Sequence, residues 1–223
     1  FTFTSSNFYK YKNIIFTGAA ADVFIGNAVE CINCSFYNTS TTTSRYAFRG
    51  TAAGPLLVHC EIVSTNGFAV SFHTEGNSRC ICCYIHDSVV GMRYGTAIGC
   101  VIDSCSTAGI QLGTGIAVQV SIYGNTIYNC GNGIDGGTSI LVNLLNNIIT
   151  NCTVGATWTS SAPWVYANYN CWNNTTDVVN IVKGPNDITA DPKLNDPANG
   201  VFALDGGSPC FDTGLQIGAA VGL

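Results

Sequence analysis

Short β-branched and aromatic runs alternate with clusters of Gly, Asn and Ser along the whole chain. This is the signal of short strands separated by turns. No stretch keeps a helical period between caps, so the pattern predicts an all-β chain and makes internal repeats the first thing to test. One three-residue unit recurs: Cys or Asn, any residue, then a large apolar residue. It stands as Asn13-Ile14-Ile15, Cys34-Ser35-Phe36, Cys60-Glu61-Ile62 and Cys83-Tyr84-Ile85, then as Cys100-Val101-Ile102, Asn125-Thr126-Ile127, Asn147-Ile148-Ile149 and Asn170-Cys171-Trp172. The spacings of 21, 26, 23, 17, 25, 22 and 23 residues fall in the period range of solenoids, and variable loops on one side account for their irregularity.

Neighbouring columns obey the same period. Two residues after the apolar position stand Thr17, Asn38, Ser64, Asp87, Ser104, Asn129, Asn151 and Asn174, all small and polar. The next column is Gly18, Thr39, Thr65, Ser88, Cys105, Cys130, Cys152 and Thr175, and five coils then carry Gly67, Gly91, Gly109, Gly133 or Gly155. The predicted fold is a single-stranded right-handed parallel β-helix, a solenoid of about eight coils over residues 1–185, with an irregular segment over 186–223 capping it within the same domain. Stacked strands lie about 4.8 Å apart, so like residues sit above like residues. The apolar column fills the interior, the Cys/Asn column can bond from coil to coil, and the glycines allow tight bends. Crossovers between parallel strands set the right hand.

Composition changes the reading of the surface. Only 9% of residues are charged, against about 25% usually. Either Asn, Ser, Thr and Tyr dress the surface, or partner chains cover much of it. The net charge is −5, and the eight Lys and Arg are scattered, so no basic stripe suits nucleic acid. No apolar run is long enough to span a membrane. The chain opens on Phe1-Thr2-Phe3-Thr4, already alternating as a strand does, which reads as a piece of a longer polypeptide. Of the twelve cysteines, Cys34, Cys60, Cys83 and Cys100 fall in one column and Cys105, Cys130 and Cys152 in another, and these read as ladder rungs: stacked Cβ atoms about 4.8 Å apart suit free buried thiols better than bridges, which want about 3.8 Å. A metal at Cys80, Cys82 and Cys83 is disfavoured, because consecutive strand residues point to opposite faces.

Past Val179 the repeat fades. The run Ala190-Asp191-Pro192 onward, and Phe202-Ala203-Leu204-Asp205-Gly206-Gly207-Ser208-Pro209-Cys210-Phe211-Asp212-Thr213-Gly214, resembles the ending of secreted and viral right-handed β-helix proteins of the pectin-lyase-like superfamily. The resemblance covers about 25 residues and implies architecture, an extracellular or virion-surface setting, and a capping role. Members of that superfamily are often polysaccharide lyases or glycoside hydrolases with sites on an outer sheet face. Their Asn-Thr-Asp, Asp-Asp, Gly-His-Gly and Arg-x-Pro-x-x-Arg signatures are absent here.

Two outward columns flank the apolar one. One reads Ile14, Ser35, Glu61, Tyr84, Val101, Thr126, Ile148 and Cys171; the other reads Phe16, Tyr37, Val63, His86, Asp103, Tyr128, Thr150 and Asn173. His86, Asp103 and Tyr128 fall on consecutive coils and are the candidate acid–base residues; an ordinary polar patch is the alternative. Tyr37, Tyr84 and Tyr128 are the candidate carbohydrate contacts, on a face apolar enough to expect a cover of loop, sister subunit or glycan. No cofactor is expected. Calcium at Asp187, Asp191 and Asp196 is chemically open, although Pro192 and Pro197 favour simple turns. Sequons at Asn38, Asn173 and Asn174 would permit glycosylation in a secreted eukaryotic protein, while Asn151 also matches but sits in a polar column that suits the interior. The expected function is a non-catalytic structural or adhesive module of a spike, fibre or cell-surface assembly, whose partners are sister subunits or the rest of a longer chain, and glycans. The alternative is a polysaccharide-degrading enzyme.

Overall fold

The computed structural model describes residues 3–5, 9–51, 54–72, 77–113, 119–138, 141–161 and 165–215. Phe1 and Thr2 of the opening alternation, and the last eight residues of the predicted cap, lie outside them. The chain is a parallel β-solenoid. Three sheets form its sides: a nine-stranded sheet 1 from Phe3–Ser5 to Thr176–Val179, an eight-stranded sheet 2 from Tyr9–Lys12 to Val165–Asn168, and a nine-stranded sheet 3 from Ile15–Gly18 to Ile188–Thr189. Strands visit the sheets in strict rotation, and the first 24 strands taken in threes make eight rungs joined by seven steps. No helix among the described residues is long and apolar enough to cross a membrane.

The interior column of sheet 3 is Phe36, Ile62, Ile85, Ile102, Ile127, Ile149 and Trp172, each with 0% exposure. Each such side chain contributes roughly 1.5–3 kcal/mol through burial. At the first rung the sequence frame is off by one. Phe16, not Ile15, pairs with Phe36, and the two rings stack at 5.0 Å. Ile15 points outward and is 70% exposed. Three successive apolar residues, Ile14-Ile15-Phe16, all satisfy the pattern; backbone conformation decides between them. The residue before each ladder position is left-handed in all eight rungs: Asn13, Asn33, His59, Cys82, Gly99, Gly124, Asn146 and Tyr169, with φ between 51° and 62°. Asn13 therefore fills the turn slot that favours Asn and Gly, and Ile14 takes the ladder position.

The ladder itself explains why Cys and Asn interchange. The thiols of Cys60, Cys83 and Cys100 donate to the carbonyls of Cys31, Leu57 and Cys80. The carboxamides of Asn125, Asn147 and Asn170 donate to the carbonyls of Ala97, Ile122 and Leu144. In every case the acceptor lies three residues before the ladder position of the preceding rung. The Asn rungs also bond to one another: Asn125 Nδ2 donates to Asn147 Oδ1 at 2.9 Å, and Asn147 Nδ2 to Asn170 Oδ1 at 3.0 Å. Asp187 closes this run, its Oδ1 accepting from Asn170 N at 2.9 Å and Nδ2 at 3.3 Å.

At the turn from sheet 3 to sheet 1 the predicted columns are also shifted. Asn38 and Ser64, not Thr39 and Thr65, share the buried position with Ser88, Cys105, Cys130 and Cys152. Ser64 N donates to Ser88 Oγ, and Cys152 N to Asn174 Oδ1. Four rungs insert an extra left-handed residue here: Asp87, Ser104, Asn129 and Asn151. Gly67 lies in the bend before Phe68–Ser71 as predicted, but the other four glycines serve a different purpose. Gly91, Gly109, Gly133 and Gly155 lie within strands of sheet 1. A Cβ on any of them would come within 2.5–2.8 Å of a carbonyl oxygen of the next rung.

Cys171 and Cys210 form a disulfide with Cα atoms 6.3 Å apart, a pairing outside the ladder reading. Ten cysteines are free; nine are buried and Cys82 is exposed. Cys80 and Cys83 face inward and Cys82 outward, and no cluster among the described residues could hold a metal ion.

Candidate functional site

The outer face of sheet 3 gathers the candidate residues because parallel register stacks them. His86 pairs with Asp103, and Asp103 with Tyr128. Tyr84, two residues before His86 on the same face, stacks on its ring at 4.0 Å between centroids. Tyr37 lies two rungs from His86, and Glu61 joins them. Tyr37 donates its phenol to Glu61 Oε2, while Glu61 Oε1 lies 3.2 Å from His86 Nε2. The other ring nitrogen, Nδ1, lies 2.8 Å from Asp87 Oδ2. The imidazole is thus held between two carboxylates, its side chain 15% exposed.

Glu61 is the member of this cluster that the sequence analysis passed over. Counting along one column finds His86, Asp103 and Tyr128; Glu61 belongs to the other column and reaches His86 on the diagonal. Its signal was its being the only acid in that column.

Charges on this face act on each other. Burial, followed by the neighbouring Asp87, raises the Asp103 carboxyl above its ordinary value, while the Ser104 hydroxyl donating at 2.9 Å opposes this. The Tyr84 phenol is pushed up to about 12, first by burial and then by the nearby charges of Asp103, Asp87 and Glu61. Tyr37 is raised chiefly by its bond to Glu61.

The expected cover is partly supplied by the chain itself. Leu194–Asp196 and Val201–Leu204 form an antiparallel pair around a 3-10 turn at Pro197–Asn199. From it Phe202 packs against Tyr84 at 6.2 Å and Tyr128 at 5.8 Å. A cleft of about 280 Å³ remains between this hairpin and the sheet, with Tyr128, Asn151, Asn173, Asp191 and Lys193 on its walls.

The three aspartates considered for calcium do not converge. Asp187 ends the Asn ladder and also accepts from Trp172 Nε1 at 2.8 Å and Gly184 N at 3.0 Å. Asp191 accepts from Lys193 N, and Asp196 from Asn199 Nδ2. Among the sequons, Asn38 is buried, with its Nδ2 donating to two carbonyls, whereas Asn151 and Asn173 are exposed. No protein-family model matches the chain, and no curated protein is significantly similar to it.

Proposed function

We propose that the chain is a non-catalytic structural or adhesive module of an extracellular or virion-surface assembly, one that contacts glycans and is related to the pectin-lyase-like β-helix proteins. One observation carries this reading: the acid–base groups on the sheet 3 face are engaged with one another. Both nitrogens of His86 face carboxylates, Tyr37 is bonded to Glu61, and Phe202 lies against Tyr84 and Tyr128. A general acid or base needs a nitrogen or oxygen free to meet a substrate proton. Such a face suits contact better than turnover. The C-terminal ending and the low share of charge support the setting. The test is light scattering on the protein in solution. A defined oligomer is the expected result; strictly monomeric behaviour would overturn the assembly reading.

A second reading, a polysaccharide lyase or glycoside hydrolase, draws on the chain Tyr37–Glu61–His86–Asp87 and the raised carboxyl of Asp103. It requires turnover of a glycan that is lost in both His86→Ala and Asp103→Ala.

A further inference from the structure

The outer face of sheet 1 carries a second constellation, on a different side of the solenoid from the His86 cluster. Arg49, Ser71 and Arg93 occupy one outward register position on three successive strands, and Tyr46 and Phe68 another. Two steps of about 4.8 Å separate the backbones of the two arginines, and the short Ser71 between them leaves an open space of about 290 Å³. Tyr46, Arg49, Ser71, Phe72, Arg93 and Tyr94 line it. No carboxylate lines it among the described residues.

Aromatic rings hold both guanidinium groups. Tyr46 and Phe68 stack at 5.0 Å. The Arg49 guanidinium lies 5.2 Å from the centre of the Tyr46 ring, and that of Arg93 lies 5.4 Å from Phe68 and 4.8 Å from Tyr94. Such stacking fixes a planar fork while leaving its N–H groups free for an anion. Arg49 has a partial counter-charge in Asp22 at 3.5 Å. Arg93 has no carboxylate partner among the described residues, and its buried Nε makes no hydrogen bond. A buried donor left unmatched is rare and costly in a native fold, and here it belongs to a side chain that lines an open, positively charged space in a chain of net charge −5.

We propose that Arg49, Ser71 and Arg93 form a binding site for the anionic group, carboxylate or sulfate, of an acidic saccharide. This rests on the glycan-contacting reading and names the class of glycan. Arg forks pair with such oxyanions in bidentate fashion, and Ser71 adds a hydroxyl at the midpoint. The space is close to the lower end of small-molecule sites, about 300 Å³, so it takes a single charged ring and not a length of polymer.

The test is calorimetric titration of the full chain with a glucuronate-containing hexasaccharide, an uncharged glucose hexasaccharide and sodium sulfate, at matched ionic strength. The acidic hexasaccharide is expected to bind, more weakly as salt rises, and the uncharged one not to bind. Arg93→Gln and Arg49→Gln are each expected to weaken binding about 10- to 100-fold, as loss of a charged hydrogen bond does. Arg93→Lys, which keeps the charge and loses the fork, is expected to be weakened as well. Ser71→Leu fills the space without removing either arginine and is expected to abolish binding, so the result does not hang on one variant folding. Acidic binding unchanged in both Gln variants and in Ser71→Leu would overturn this site and leave the glycan-contacting reading in place. Equal binding of the uncharged hexasaccharide would remove the anion from the proposal, and sulfate binding as tightly as the hexasaccharide would remove the sugar. Absence of binding by either hexasaccharide would overturn both readings.

Discussion

Asn170 and Asp187 meet where the polar ladder stops: the last carboxamide donates to a carboxylate, which has nothing to donate onward. An Asn in that place would point an N–H₂ group either at Trp172 Nε1 and Gly184 N, which share Oδ2, or at Asn170 N and Nδ2, which share Oδ1, and all four need an acceptor. Asp187→Asn is expected to lower stability by about 1–3 kcal/mol or more, since either orientation of the amide leaves two donors facing an N–H₂ group, and Asp187→Ala by more still. Urea unfolding followed by tryptophan fluorescence measures the order of the two.

Within the ladder, side chains are ranked by what they can donate and accept. Asn147→Ala removes the acceptor used by Asn125 N and Nδ2 and the donor to the Ile122 carbonyl. A loss of about 2–4 kcal/mol is expected, from buried groups left unpaired. Asn147→Cys restores donation to that carbonyl, as Cys100 does to Cys80, and is expected to cost less than Asn147→Ala. A reversed order in chemical denaturation would refute the equivalence of the two rung types.

Two glycines should respond unequally to a methyl group, for different reasons. Gly133→Ala would place a Cβ 2.5 Å from the Gly155 carbonyl oxygen and 2.7 Å from Ile149 Cγ2, and overpacking of this kind is expected to cost about 3 kcal/mol or prevent folding. Gly124 has open space around it but φ of 62°, so Gly124→Ala is expected to cost only about 1 kcal/mol. Conversely, Cys82 sits exposed at φ 51°, and Cys82→Gly is expected to raise stability by about 0.5–1 kcal/mol. Thermal melts of the three variants separate steric from conformational cost.

Thiol titration provides an independent count. One thiol, Cys82, is expected to react in the native protein, ten after unfolding without reductant, and twelve after reduction of Cys171–Cys210. Burial pushes the thiols of Cys31, Cys80 and Cys83 up, which keeps them protonated and unreactive while folded. More than one fast native thiol would show that the ladder opens.

Asp103 gives the pH signature. Its carboxyl is raised in the folded chain, so folding favours the protonated form. Its contribution to stability is fully present below the ordinary Asp value of about 3.9 and is lost as pH rises through the raised folded value. Asp103→Asn is therefore expected to melt slightly higher than the parent at pH 7, and the gap to close as pH falls toward 4. The carboxyl is only half-buried, so the effect is small, on the order of 1 kcal/mol or less. A gap that widens in acid would contradict the cause assigned to the shift.

The solenoid was legible in the sequence because columns survive counting: Phe36 to Trp172 stack as the repeat predicts. Frame errors arose where composition was degenerate. Ile14-Ile15-Phe16 offers three apolar candidates, and Asn38-Thr39 two small polar ones; only the left-handed turn residue fixes the register. Pairs on sheet 3 were readable, hence His86 beside Asp103 and Tyr128. Arg49 and Arg93 were not, because linkers of unequal length, such as 94–95 and 112–119, separate sheet 1 from sheet 2 and erase its period. Phe202 against Tyr84 and Tyr128 belongs to no repeat at all.

The corner between sheets 2 and 3 is always two residues, a left-handed one and then a ladder residue, from 13–14 through 169–170. The corner between sheets 1 and 2 ranges from two residues at 94–95 to eight at 112–119. The corner between sheets 3 and 1 varies as well, from two residues at 174–175 to seven at 39–45, so one edge of the rod is a bound spine and the other two are margins where length is free. Insertions at those margins leave the rise and register of the rungs untouched. The molecule can therefore vary the loops it displays beside Arg49 and Arg93 while keeping the same stacked backbone.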